Sequence, residues 1–259
     1  MKHALLIDLD GVLYQGAKVI PGALEAIRWI QNQSIPHLFI TNTTSRPRRK
    51  IVEKLSGFGF DISEQSILTP PIAACEWLSE NVTGETALFI PSSTREDFNS
   101  IPILKQGKIS VVAVVLGDIG EEWTFSELNR AFTFLMEEPK PKLVALGMTR
   151  YWQTAKGLQL DVGPFVKALE YAASCEAVVL GKPSAQFFNA ALRILHCEPS
   201  QAVMIGDDIL GDVQGAQHAG IKGVLVRTGK FRSSDIDSGI HPDAIIDSIA
   251  GLPAWLDQN

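Results

Sequence analysis

Cysteine is scarce in this sequence, and its three occurrences, Cys75, Cys175 and Cys197, stand far apart with no CxxC pair. An odd count at wide spacing excludes a disulfide framework and a thiolate zinc site. It fits a reducing cytosol, so the expected localisation is cytoplasmic. Each cysteine lies in an apolar helical context, which predicts ordinary core packing. Long hydrophobic runs are missing too: no apolar stretch approaches the ~20 residues that a bilayer-spanning helix needs. The opening apolar run, Ala4 to Ile7, stops at Asp8, short of the apolar region of a secretory signal. Positive charge is the smaller share, 23 Lys and Arg against 29 Asp and Glu, for a net charge of −6. A nucleic-acid binder would present a basic face, so the expected partner is a small molecule rather than nucleic acid or membrane. The one basic run, Arg46 to Lys50, reads as a solvated helix face.

What is present is an ordinary globular composition, 46% apolar and 20% charged, over 259 residues. That length exceeds one compact domain and falls short of two, so one domain with a sizeable insertion is expected. Ala4 to Ile7 is a continuous apolar run, the signature of a strand buried on both faces. Pro21 and Gly22 open a helix carrying Leu24, Ile27, Trp29 and Ile30. His37 to Ile40 reads as the next strand, and Ser45 is the expected cap of a helix running to about Leu55. Late in the chain Ala177 to Leu180, Ala202 to Ile205 and Gly223 to Val226 read as further strands. A helix with Phe187, Phe188, Ala191, Leu192 and Leu195 on one face lies between the first two. This βαβα order implies a parallel sheet.

The middle of the chain carries its own αβ set. Thr86 to Ile90, Val111 to Leu116 and Leu143 to Leu146 read as strands. Thr124 to Glu137 reads as a helix opened by a Thr124/Glu127 capping box, with Phe125, Leu128, Phe132 and Leu135 at helical spacing. The expected organisation is a core domain of residues 1–79 and 179–259, interrupted by an αβ domain of residues 80–178.

Four polar groups fall at strand ends, where open α/β sheets place their ligand crevice. Asp8-Leu9-Asp10 puts two carboxylates on one side of an extended segment, one able to attack phosphorus and the other able to handle protons. Gly11 allows the sharp turn that follows. Thr41-Asn42 offers a hydroxyl and an amide to phosphoryl oxygens. Lys182 supplies a countercharge between two anions that would otherwise repel. Gly206-Asp207-Asp208-Ile209-Leu210-Gly211-Asp212 adds three more carboxylates. So much negative charge calls for a hard divalent cation with oxygen ligands, and Mg²⁺ is the expected cofactor. Each motif alone is weak; the four in order point to one shared site.

These motifs resemble the haloacid dehalogenase-like hydrolase superfamily. The segment between the second and third resembles the inserted cap of its subclass IIA. The resemblance implies a Rossmann-like parallel-sheet α/β core with a C2-type α/β cap, and a Mg²⁺-dependent phosphatase acting on small phosphorylated substrates. It implies that Asp8 is the nucleophile and forms an aspartyl phosphate, and that Asp10 is the acid and base. The Asp10 backbone carbonyl, with the Asp8 and Asp207 carboxylates, would bind Mg²⁺. Thr41, Asn42 and Lys182 would hold the phosphoryl group, and Asp212 would stand in the metal's outer shell or reach it through water. A homodimer is also compatible with it.

Phe60 to Gln65, Leu160 to Phe165, Gly181 to Ser184 and Thr228 to Phe231 resemble a subgroup that acts on phosphoramidates and pyrophosphate. That subgroup carries serine where this chain has Asp10. A full acid/base pair favours phosphate esters, whose alkoxide leaving groups need a proton, and leaves pyrophosphate or phosphoramidate hydrolysis as the alternative. Arg150, in Gly147 to Trp152 after an expected cap strand, is a candidate contact for a second anionic group of the substrate. The intact set Asp8, Asp10, Thr41, Lys182 and Asp207 argues against a non-catalytic binding protein.

Overall fold

The structure is a computed structural model that describes residues 3–105, 110–154 and 157–258. By its internal contacts the chain forms two compact units. One takes the chain up to Thr41, Arg48–Leu68, and everything from Lys182 onward; the other takes Asn42–Pro47 and Thr69–Gly181.

The first unit opens with β1 (Ala4–Asp8), a hairpin of β2 (Tyr14–Gln15) and β3 (Lys18–Val19), and helix α1 (Ala23–Asn32). Then come β4 (His37–Ile40), α2 (Arg48–Gly57) and β5 (Ile67–Leu68). The second unit holds α3 (Pro70–Asn81), β6 (Thr86–Phe89), β7 (Ala113–Leu116), α4 (Phe125–Leu135) and β8 (Lys142–Ala145). It continues with the hairpin β9 (Tyr151–Thr154) and β10 (Gly157–Leu160), α5 (Val162–Ala173) and β11 (Val178–Val179). The first unit resumes at α6 (Ala185–Leu195), β12 (Ala202–Gly206), α7 (Gly215–His218), β13 (Lys222–Val226), β14 (Ala244–Ile246) and α8 (Leu252–Leu256).

The first unit is built on a six-stranded sheet in the order β14-β13-β12-β1-β4-β5, and every neighbouring pair is parallel. β1 is central: Ile7 lies opposite Ile205 of β12 on one side and Phe39 of β4 on the other. All five of its residues are buried, as the unbroken apolar run requires of a strand covered on both faces. Each fully buried Leu or Ile there contributes about 1.5–3 kcal/mol of transfer free energy. α1 packs Ala23, Ala26, Ile27 and Ile30, one stripe at helical spacing, into the core beside Leu5, Ile7 and Phe39.

The second unit has a parallel four-stranded sheet, β11-β8-β7-β6. In its core Trp123 stacks between Phe89 and Phe165, with ring centroids 6.0 and 4.9 Å away.

Several local expectations are corrected. α2 begins at Arg48, so Ser45 does not cap it. Pro47 disfavours helical backbone at the residue before it, which bars an earlier start. Phe125 is exposed; Leu128 and Phe132 pack against the core, and Ala131, Phe134 and Leu135 are buried in it. Thr124 does accept from the Glu127 amide, but the Glu127 carboxylate turns to Arg130 instead of closing a capping box. β11 pairs with β8 of the second sheet, so Lys182 does not follow a strand of the first sheet. It sits where the chain enters the first unit, two residues before the Ser184 hydroxyl that caps α6.

Candidate active site

The site grows from the carboxyl ends of neighbouring strands in the first sheet. β1 ends on Asp8, β4 is followed by Thr41, and β12 is followed by Asp207. All three are buried. Backbone pairing puts them side by side, because Asp8 is level with Ile40 and Ile7 with Ile205. Beyond Asp207 the chain makes one wide turn, Ile209–Gln214, whose hydrogen bonds have the π-helical spacing. Such turns are rare and concentrate at functional sites. This one brings Asp212 back beside Asp207 at 1% exposure.

Lys182 joins the end of β1 to the turn that follows β12. Its Nζ donates to Asp8 Oδ1 at 2.6 Å and to Asp212 Oδ1 at 2.6 Å. The Lys182 side chain is only 6% exposed. Burial by itself would discharge the ammonium, but the Asp212 and Asp8 carboxylates outweigh it and hold its pKa above the ordinary lysine value. A buried pair of this kind is costly to break, since removal of one partner strands the other charge.

One ammonium does not balance three acids. Asp8, Asp207 and Asp212 each offer a carboxylate oxygen within 4.8 Å of the others. Burial raises Asp8 to about 7; Lys182 opposes the shift, and the neighbouring Asp212 and Asp207 add to it. Burial likewise raises Asp207 to about 6, opposed by the Lys230 amide. Asp207 Oδ2 accepts from that amide at 2.6 Å, while Asp207 Oδ1 is buried with no partner. A buried carboxylate oxygen without a donor costs free energy unless a cation meets it. The donor set is all oxygen and carries excess negative charge, which suits a hard divalent metal ion.

The two remaining carboxylates of the motifs stand apart from this cluster. Asp208 is occupied: Oδ1 accepts from the Leu210 and Gly211 amides at 3.1 and 2.9 Å, and Oδ2 from Lys230 Nζ at 3.0 Å. Burial would raise it, but these donors prevail and hold it below the ordinary carboxylate range. Asp10 is exposed, two residues beyond the buried end of β1. The following Gly11 takes φ +86°, and its amide donates to Tyr14 O at 2.7 Å to close the turn into the hairpin.

The Thr41 amide donates to Leu68 O, which ties the end of β4 to β5. Asn42 and Arg150 are both exposed and belong to the second unit. The Arg150 guanidinium lies 5.8 Å from the Tyr151 ring.

Two features escaped the motif reading. The direct Lys182–Asp212 ion pair joins residues 30 apart, and no spacing rule links a helix-start lysine to a turn after another strand. The Thr228–Lys230 segment was legible as a family resemblance but not as part of the site; it follows β13 beside β12, and its position after an apolar strand was the available signal.

Comparison with known proteins accords with this geometry. A family model described as haloacid dehalogenase-like hydrolase matches residues 5–99, and a second, HAD-hydrolase-like, matches residues 179–252. Phospholysine phosphohistidine inorganic pyrophosphate phosphatase of Homo sapiens is 42% identical over 256 residues, covering 96% of this chain and 92% of that protein. Haloacid dehalogenase-like hydrolase domain-containing protein 2 of Bos taurus is 40% identical over 234 residues, covering 90% of this chain and 87% of that protein. Among solved structures, a p-nitrophenyl phosphatase from Archaeoglobus fulgidus superposes with a TM-score of 0.85 at 23% identity, covering 100% of this chain and 99% of that one. At that identity the likeness is one of fold.

Proposed function

This chain belongs to the haloacid dehalogenase-like hydrolases and is a phosphatase, and we propose that it hydrolyses monoesters of small phosphorylated metabolites with Mg²⁺, through an aspartyl phosphate on Asp8. The observation that carries the proposal is the buried Asp8 carboxylate, ion-paired to Lys182 beside the unpartnered Asp207 Oδ1.

In this reading an Asp8 carboxylate oxygen attacks phosphorus while the bond from phosphorus to the leaving oxygen breaks. Asp10, exposed and two residues on, gives its proton to that oxygen. It then takes a proton from a water molecule, which attacks the same phosphorus and breaks the bond to Asp8. Orthophosphate leaves and both carboxyl groups return to their starting states. Lys182 neutralises charge between nucleophile and phosphate, and Thr41 and Asn42 hold phosphoryl oxygens. Asp8, Asp207 and the Asp10 backbone carbonyl hold Mg²⁺, with Asp212 bracing the site through Lys182. When bound, the ion screens the approach of two anions and polarises the phosphoryl group. A cation among these carboxylates also favours the ionised form of Asp8 that attack requires.

Residues 80–178 act as a cap that selects the substrate, with Arg150 as a contact for a second anionic group. The three cysteines, none of them in a disulfide, support a cytosolic setting.

The second reading, hydrolysis of pyrophosphate or phosphoramidates, has the printed names of the 37–42% identical relatives behind it. Asp10 favours esters, because pyrophosphate and phosphoramidate leaving groups depend less on a general acid. A phosphometabolite screen with and without Mg²⁺, with Asp8→Asn as the blank and pyrophosphate in parallel, tests both. Faster turnover of pyrophosphate than of every ester would give the second reading precedence. No Mg²⁺-dependent turnover and no phosphorylated Asp8 would leave only a binding protein on this fold.

A further inference from the structure

Thr228-Gly229-Lys230 touches the site at three consecutive residues, and the mechanism above uses none of them. The Thr228 hydroxyl donates to the backbone oxygen of Gly11. Gly229 takes φ +62°, and a Cβ there would fall 2.0 Å from Asp207 Oδ2 and 2.5 Å from the Gly11 Cα. Gly11 mirrors it: a Cβ on that residue would fall 2.0 Å from the same Asp207 Oδ2. Two bare glycine backbones therefore close on one carboxylate oxygen. The Lys230 amide then donates to that oxygen at 2.6 Å, and its Nζ reaches Asp208 at 3.0 Å. Asp207 Oδ2 is thus bonded to the Lys230 amide and enclosed by two glycine backbones, and Oδ1, buried and unpartnered, is the oxygen left for a ligand.

We infer that Thr228, Gly229 and Lys230 form a positioning clamp that fixes the Asp207 carboxylate and, through Gly11, locks it in register with the Asp8–Asp10 turn, so that Oδ1 is delivered to the metal. The inference rests on the function proposed above. An unclamped aspartate has two equivalent oxygens and a free χ2, and would lose rotamer freedom on binding the ion. The clamp meets that cost during folding. Groups that orient a metal ligand typically govern 10- to 100-fold of metal affinity.

The test compares Gly229→Ala with Gly239→Ala, and Thr228→Val with Thr228→Ser, in the full chain. Gly239 also has a positive φ, +80°, but nothing lies within 4 Å of a Cβ built there. It reproduces the backbone strain without the collision. Thr228→Val keeps the shape and removes the donor, while Thr228→Ser restores it. Mg²⁺ affinity is read by calorimetry and Mn²⁺ binding by electron paramagnetic resonance, next to metal-free melting temperature and kcat on p-nitrophenyl phosphate. Gly229→Ala should weaken both metals by about 10- to 100-fold relative to Gly239→Ala. Thr228→Val should weaken them less, and Thr228→Ser should bind as wild type does.

If Gly229→Ala does not fold, the Thr228 pair decides. Metal affinities equal to wild type in Thr228→Val, or a loss in Thr228→Ser as large as in Thr228→Val, overturn the clamp while leaving the phosphatase reading intact. Wild-type protein that binds neither Mg²⁺ nor Mn²⁺ overturns both.

Discussion

Lys182 Nζ lies 2.6 Å from Asp8 Oδ1, although the two residues are 174 positions apart in the chain. The contact links the first strand to the segment where the chain returns to the same unit. Because both groups are buried, it makes the ammonium part of the fold as well as of the proposed chemistry. Lys182→Met should therefore fail in two ways. Turnover should be lost, and the fold should be weakened by about 3–5 kcal/mol, the usual cost of stranding a buried charge. Denaturant unfolding measures the second effect, and an unchanged midpoint would mean that Asp8 and Asp212 do not depend on this lysine.

Asp8→Asn separates stability from activity in the opposite direction. It removes one of three crowded carboxylates but leaves Lys182 its bond to Asp212. Metal-free melting temperature should stay level or rise, while kcat falls by at least ~1000-fold, as loss of a covalent nucleophile does elsewhere. Residual activity within about tenfold of wild type would remove Asp8 from the nucleophile's role.

Asp10→Ser should discriminate among substrates by leaving group. A general acid is worth about 10²–10⁴ in rate where the departing oxygen needs a proton. Alkyl phosphates should therefore suffer most and p-nitrophenyl phosphate, whose phenolate leaves readily, much less. Equal losses on both would show that Asp10 does not protonate the leaving group.

The raised carboxyl groups predict a pH dependence of stability. Asp8 at about 7 and Asp207 at about 6 lie above the ordinary value of 3.8. From roughly pH 4 upward the folded, metal-free protein therefore holds protons that the unfolded chain has released, and stability falls as pH rises through that window. In EDTA the melting temperature should drop between about pH 4 and pH 7, and should drop less in Asp207→Asn. Excess Mg²⁺ should flatten the wild-type curve by binding the ionised cluster. Parallel curves for the two proteins in EDTA would contradict the raised values.

Most of the scaffold was legible in the chain. His37–Ile40 matches its apolar run residue for residue, and Ala4–Asp8 and Ala202–Gly206 extend theirs by one position. Uninterrupted apolar runs bounded by polar turns can be read without knowledge of partners. The two-residue strands β2, β3 and β5 and the β9–β10 hairpin were not legible. They are defined by what they pair with, and their own sequence has no period long enough to register. Phe125 shows a limit of the other kind: it shares the helical spacing of Leu128, Phe132 and Leu135, and the fold left it in solvent.

The motifs by themselves pointed to phosphoryl-transfer chemistry, because paired carboxylates, a hydroxyl and a lysine in that order are properties of residue type and local spacing. Asp8 and Asp10 look equivalent in that reading. Only the tertiary structure made one a buried acid in an ion pair and left the other exposed. It also decided that Asp212 joins the cluster while Asp208 is spent on amides and Lys230. The reason is physical. Protonation, orientation and metal affinity depend on burial and on donors that arrive from distant strands, and neither quantity exists until the chain has folded.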